Sequence, residues 1–105
     1  FALATDKKFY IYDVASGRYI KSFDQQENNK IQSLNFSSSD YFSALGTETV
    51  RIFNQKNNFD LLHTLNFKED GIKDGRFNPE KTIFVVRTQY GMHFYYMHQG
   101  VLIKI

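Results

Sequence analysis

Ile31-Gln32-Ser33-Leu34-Asn35-Phe36 and Ile72-Lys73-Asp74-Gly75-Arg76-Phe77 start 41 residues apart and match in their apolar first and last positions. A turn cluster follows each: Ser37-Ser38-Ser39-Asp40 after the first, Asn78-Pro79-Glu80-Lys81 after the second. The same interval separates Phe9-Tyr10-Ile11-Tyr12 from Val50-Arg51-Ile52-Phe53, and Met92-His93-Phe94-Tyr95 follows after 42. Between these anchors lie short β-branched and aromatic runs, at Tyr19–Phe23, Phe42–Leu45, Leu61–Phe67, Thr82–Val86 and Val101–Ile105. Turn clusters such as Ala15-Ser16-Gly17-Arg18 and Gly46-Thr47-Glu48 separate them, which is the pattern of hairpins. No window sustains apolar residues at i, i+3, i+4 and i+7, so about eleven strands and no helix are expected. A unit of about 40–45 residues with four strands is the signature of propeller blades. One such meander cannot cover both of its faces, so it must stack on neighbours.

The composition agrees with a packed β domain. The 105 residues hold 11 Phe and 7 Tyr with no Trp, 6 Gly and 1 Pro, which excludes disorder and collagen-like sequence. Cys is absent, which removes disulfide, thiolate-metal and cysteine-nucleophile chemistry and leans toward an intracellular, cytoplasmic setting. The net charge of +2 comes from scattered Lys and Arg, Lys7-Lys8 being the densest pair. Such a surface is solvated and mixed, without the basic stripe of a nucleic-acid binder. No apolar stretch reaches the ~18 residues of a membrane span, and no signal peptide is visible.

The residues around the anchors resemble the WD40 family. In Asp6-Lys7-Lys8-Phe9-Tyr10-Ile11-Tyr12-Asp13, Asp6 stands in the turn-Asp place and Tyr12-Asp13 in the Trp-Asp place. The later units carry Thr47 with Phe53-Asn54, and Gln89 with Tyr95-Tyr96. Phe36-Ser37 and Phe77-Asn78-Pro79 match the Phe-Ser-Pro element, while the Gly-His dipeptide is missing. The resemblance implies a propeller whose buried His-Asp-Ser/Thr-Trp tetrad cannot assemble here, so aromatic and aliphatic packing must replace it.

The expected fold is therefore all-β, a fragment of a β-propeller with about 2.75 four-stranded antiparallel blades. Residues 1–30 form a partial blade (the last three strands plus a link), 31–71 a complete blade and 72–105 another. A closed ring takes about 4 to 8 blades, so a longer parent chain is expected.

Catalytic signals are absent. There is no Gly-x-Ser-x-Gly, no phosphate loop and no paired-carboxylate set. Glu69-Asp70 and Asp74 read as solvated loop acids. His93 and His98 lie five apart with a strand end expected between them, and His63 is remote, so no metal site is expected. Phe94-Tyr95-Tyr96 reads as a strand with Tyr95 facing one blade and Phe94 and Tyr96 the other. No catalytic residue, metal or cofactor is expected, and no small-molecule substrate or membrane span.

The resemblance implies a non-enzymatic scaffold that joins other proteins in a multi-subunit assembly through loops on one rim. The candidate rim residues are Lys7, Lys8, Gln25, Glu27, Glu48 and Tyr90, with 24–30 linking two blades. Two alternatives stand beside it. An RNA- or ribonucleoprotein-associated propeller of the translation-factor type requires Lys7, Lys8, Lys30, Arg51, Lys73, Arg76 and Arg87 to gather on one rim. A phosphoinositide-binding propeller carries a Phe-Arg-Arg-Gly motif, and this sequence has no Arg-Arg.

Overall fold

The computed structural model describes residues 2–5, 8–24, 30–36, 41–78, 83–98 and 100–105. The fold is all-β. The first sheet comprises β1 (Ala2–Ala4), β2 (Lys8–Tyr12) and β3 (Tyr19–Asp24). The second comprises β4 (Ile31–Phe36), β5 (Tyr41–Gly46), β6 (Thr49–Asn54) and β7 (Asp60–Asn66). The third comprises β8 (Ile72–Phe77), β9 (Ile83–Thr88), β10 (Gly91–His98) and β11 (Val101–Lys104). Every pairing is antiparallel between sequential strands, so each sheet is a meander. The described residues thus make about two and three-quarter propeller blades.

Burial follows from the stacking. In β2, Phe9 and Ile11 are buried and the residues between them are not, as in a strand covered on one face. β9 likewise buries Phe84, Val86 and Thr88 in alternation. By contrast, β5 is buried from Phe42 through Gly46 and β6 from Val50 through Phe53. The second sheet lies between the other two, so both of its faces are covered. Phe9, Ile11 and the half-buried Phe23 meet Phe42, Ala44 and Phe53 in the first seam. Leu45, Val50 and Ile52 meet Phe84, Val86, Tyr95 and Met97 in the second.

Rings fill the first seam: Phe9 stacks on Phe23 at 5.0 Å, and Phe23 lies 4.5 Å from Phe53. Aromatic packing therefore holds this seam together. In the second seam Gly75 gives close approach, since a Cβ there would sit 3.0 Å from Leu45 Cδ1 and 3.1 Å from the Val85 carbonyl.

Hydrogen bonds stitch both ends of the stack. At one end, Gln32 Nε2 donates to the carbonyls of Gly46 and Ile72, each at 2.9 Å, and the Ile72 amide donates to Thr47. At the other, His63 Nε2 lies 2.7 Å from the Gly100 carbonyl, and the Gly100 amide donates to the Tyr41 hydroxyl. Lys21 Nζ donates to the Asn58 carbonyl across the first seam.

Three local features differ from the sequence expectation. A short 3-10 helix, Gln55–Asn57, follows β6, where a plain turn is expected. Asn54 Oδ1 accepts from the Lys56 amide, and Asn58 closes the helix in the left-handed region at φ 54°, both local preferences of asparagine. β10 continues through His98 instead of ending at Tyr96, because Met97 and His98 pair with Leu102 and Val101. β9 continues to Thr88, whose side chain organises the following turn. Two polar residues 41 positions apart organise turns in the same way. Asp13 accepts from the Ala15 amide and Ser16 hydroxyl, and Asn54, 41 residues on, caps the equivalent turn.

Candidate partner-binding rim

The hairpin turns between the second and third strands of each blade lie at one end of the stack. In the first sheet this is the turn entering β2, where the Thr5 amide and hydroxyl both donate to the Lys8 carbonyl. In the second it is Thr47-Glu48, and in the third Gln89-Tyr90. The links between sheets leave and enter at the same end. Asp24 pairs with Lys8, and Asn66 with Thr49, so each link starts beside a turn. The second link is pinned to the Thr47-Glu48 turn, its Phe67 amide donating to the Glu48 carbonyl at 2.7 Å.

The expected site residues fall on this edge as far as they are described. Lys8 Nζ lies 3.4 Å from Asp24 Oδ1, an exposed pair worth little in stability. Glu48 is half-buried, with its main chain against the second link. The Tyr90 ring is 75% exposed, while its amide donates to Thr88 Oγ1. Lys7, Gln25 and Glu27 lie outside the described residues. Lys8, Glu48 and Tyr90 belong to successive sheets, and what they share is an edge.

The link Phe67–Gly71 adds residues that sequence reading leaves as solvated loop. The amides of Asp70 and Gly71 donate to the Phe67 carbonyl, with Gly71 at φ 72°. Phe67 is buried, and its ring lies 5.1 Å from the His93 ring. His93 Nε2 is 4.0 Å from Asp70 Oδ2. Asn66–Asp70 line a shallow, open depression on the rim. Among the described residues no group of three or more His, Asp or Glu converges as metal ligands would.

Arg51 is the other residue that sequence reading misplaces, by grouping it with surface cations. It is only 8% exposed. Alternation in Val50-Arg51-Ile52-Phe53 puts Arg51 on the face of Phe53, toward the first sheet. Its guanidinium lies 5.1 Å from the Phe9 ring centre and 6.0 Å from that of Phe53, and Nη1 donates to the Asp24 carbonyl at 3.2 Å. Nε and Nη2 have no hydrogen-bond partner among the described residues. Burial lowers the Arg51 pKa from its ordinary value, and the Asp24 carboxylate opposes that shift.

The remaining cations do not form a field of one sign. Lys8, Lys30, Lys73 and Arg87 stand at or near the rim but alternate with Asp24, Glu48, Glu69 and Asp70. Arg76 Nη2 is 3.8 Å from Asp74, further down β8. No helix among the described residues is long and apolar enough to cross a membrane.

No family model matches the chain, and no curated protein sequence matches it. Among solved structures, it is similar to Kluyvelomyces marxianus Hsv2, a β-propeller, with a TM-score of 0.66 and 17% sequence identity. The superposition covers 99% of this chain and 33% of Hsv2, so the chain spans one third of that structure. At this identity the likeness speaks to fold, and the fold of this chain is that of β-propeller blades.

Proposed function

We propose that the chain is a non-enzymatic docking module of a larger assembly, binding other proteins through the rim that carries Lys8, Glu48 and Tyr90. Lys7, Gln25 and Glu27 belong to the same proposal through their place in the sequence, beside Lys8 and Asp24. The observation that carries it is the convergence of three equivalent hairpin turns and a link on one edge, pinned by main-chain hydrogen bonds. A rigid edge of this kind loses little entropy on binding. Its interspersed charges and exposed tyrosine suit a protein partner, since aromatic side chains are enriched where proteins meet. A nucleic-acid backbone asks instead for gathered cations. The absence of an arginine pair keeps the phosphoinositide alternative behind both.

Photo-crosslinking amino acids placed at Lys8, Glu48 and Tyr90, and at Ser16 and Asn57 on the opposite edge, test the proposal in cells. Protein adducts from the first set and none from the second are expected. Adducts to RNA from the first set would favour the ribonucleoprotein reading, and adducts only from the second set would refute the rim.

A further inference from the structure

Arg51 stands where the repeat calls for an uncharged side chain. Tyr10 and Met92 hold the equivalent places 41 residues before and after it. In the middle sheet this place is covered, and the Arg51 guanidinium lies against the Phe9 and Phe53 rings with only 8% of the residue exposed. Nε and Nη2 find no acceptor among the described residues. An apolar side chain of similar length would fill the seam without that desolvation, and such replacements of buried ions are often neutral or stabilising. Side chains that break a local rule without adding stability gather at functional sites.

The first seam also differs from the second in how it is tied near the rim. In the second, the Ile72 amide donates to the Thr47 carbonyl and Gln32 Nε2 to the Ile72 carbonyl, both at 2.9 Å. In the first, the tie seen among the described residues is Arg51 Nη1 donating to the Asp24 carbonyl at 3.2 Å. Asp24 ends β3 and pairs with Lys8 in the β2–β3 ladder. Its carboxylate lies 3.4 Å from Lys8 Nζ, but with the two side chains 83% and 47% exposed that pair holds little by itself. The rings restrict the planar guanidinium, so its donor meets the carbonyl at a set place.

We infer that Arg51 is a positioning residue of the rim: through the Asp24 carbonyl it fixes the end of β3, and with it Lys8, relative to the second sheet. This role rests on the docking function proposed above and extends it to a buried side chain that acts only through Asp24 and Lys8. Arg51 thereby links the middle of β6 to a rim residue of the neighbouring sheet.

Amide hydrogen exchange and photo-crosslinking of Arg51 variants test the inference together. Arg51→Met is expected to speed exchange at the Lys8–Asp24 end of the first sheet by about tenfold, the effect of losing one charged hydrogen bond. Exchange at Thr47 and Ile72 should stay unchanged, and the melting temperature should not fall. Arg51→Lys, which keeps a cation and a donor, should fall between the two proteins. With the crosslinker at Tyr90, Arg51→Met and Lys8→Ala should each lower adduct yield several-fold. The double variant should lower it no further than the stronger single change, because both act through one residue. Unchanged exchange at the Lys8–Asp24 end, or exchange raised equally in all three sheets, overturns the inference. So do additive losses of adduct in the double variant. Absence of adducts from Tyr90 in the unmodified protein, with the exchange result as expected, would count against the docking function and leave the tie through Asp24 standing.

Discussion

Replacing Arg51 with methionine removes a charge from the first seam while keeping an unbranched stem against Phe9 and Phe53. Among the described residues two buried donors, Nε and Nη2, lack partners, and each costs about 1–3 kcal/mol. Against this stand one charged hydrogen bond to the Asp24 carbonyl, about 1.5–3 kcal/mol, and the ring contacts, about 0.5–2 kcal/mol. The terms nearly cancel, with a small balance against arginine. A thioether offers favourable contacts to both rings without the desolvation, and apolar replacements of buried ions are often neutral or stabilising. Arg51→Met is therefore expected to leave stability unchanged or raise it by about 1 kcal/mol, which corresponds to a melting-temperature rise of about 4–8 °C. Urea and thermal unfolding of both proteins, followed by circular dichroism, read this directly. A loss of more than about 2 kcal/mol would refute the reasoning, because the guanidinium would then be making bonds beyond the one to the Asp24 carbonyl.

Phe53→Ala should be more damaging, by about 3–5 kcal/mol, because the ring is fully buried among Phe9, Phe23 and Phe42; urea unfolding measures it. Gly75→Ala should cost about 1–3 kcal/mol by thrusting a methyl between Leu45 and the Val85 carbonyl, and Leu45→Ala in the same chain should recover part of that loss. Burial raises the Tyr95 phenol above its ordinary value. With the folded pKa above the unfolded one, this contribution is fully present below about pH 10 and is lost as pH climbs through the folded value. Denaturant titrations should accordingly show a shallower alkaline loss for Tyr95→Phe than for the unmodified chain, and identical slopes would exclude the effect.

The blades are legible in sequence because a stacked meander needs the same side chains at the same places in every unit. The spacing of Phe9/Ile11, Val50/Ile52 and Met92/Phe94 reports that need directly, whatever happens to individual motif residues. The turns are less legible. Asn54 and Asn58 close a 3-10 helix through their own side chain and left-handed backbone, a local choice that competes closely with a plain turn. The end of β10 depends on pairing with β11, which a period-two pattern over Phe94–Tyr96 does not reveal.

The rim is partly legible. A residue in a hairpin turn between equivalent strands must lie at one end of its sheet, which places Lys8, Glu48 and Tyr90. Stacking then brings those ends together. The Phe67–Gly71 link and His93 are not legible, because their partners come from the preceding sheet and from a carbonyl whose owner's side chain is irrelevant. Arg51 is hidden for the same reason. Its neighbours Val50 and Ile52 announce a strand, but only the first sheet, 27 residues away at Asp24, decides that its side chain is buried.

The central claim is that the three meanders stack in chain order, which is what aligns the turns on one edge. Nuclear Overhauser contacts across the two seams test it most directly, using methyl- and ring-labelled protein. The stacked arrangement predicts contacts between the Phe9 and Phe53 rings, whose centroids are 6.1 Å apart, and between a Leu45 methyl and the Gly75 α-protons. Strand-pairing contacts within each sheet, with both seam contacts absent in a folded sample, would contradict it.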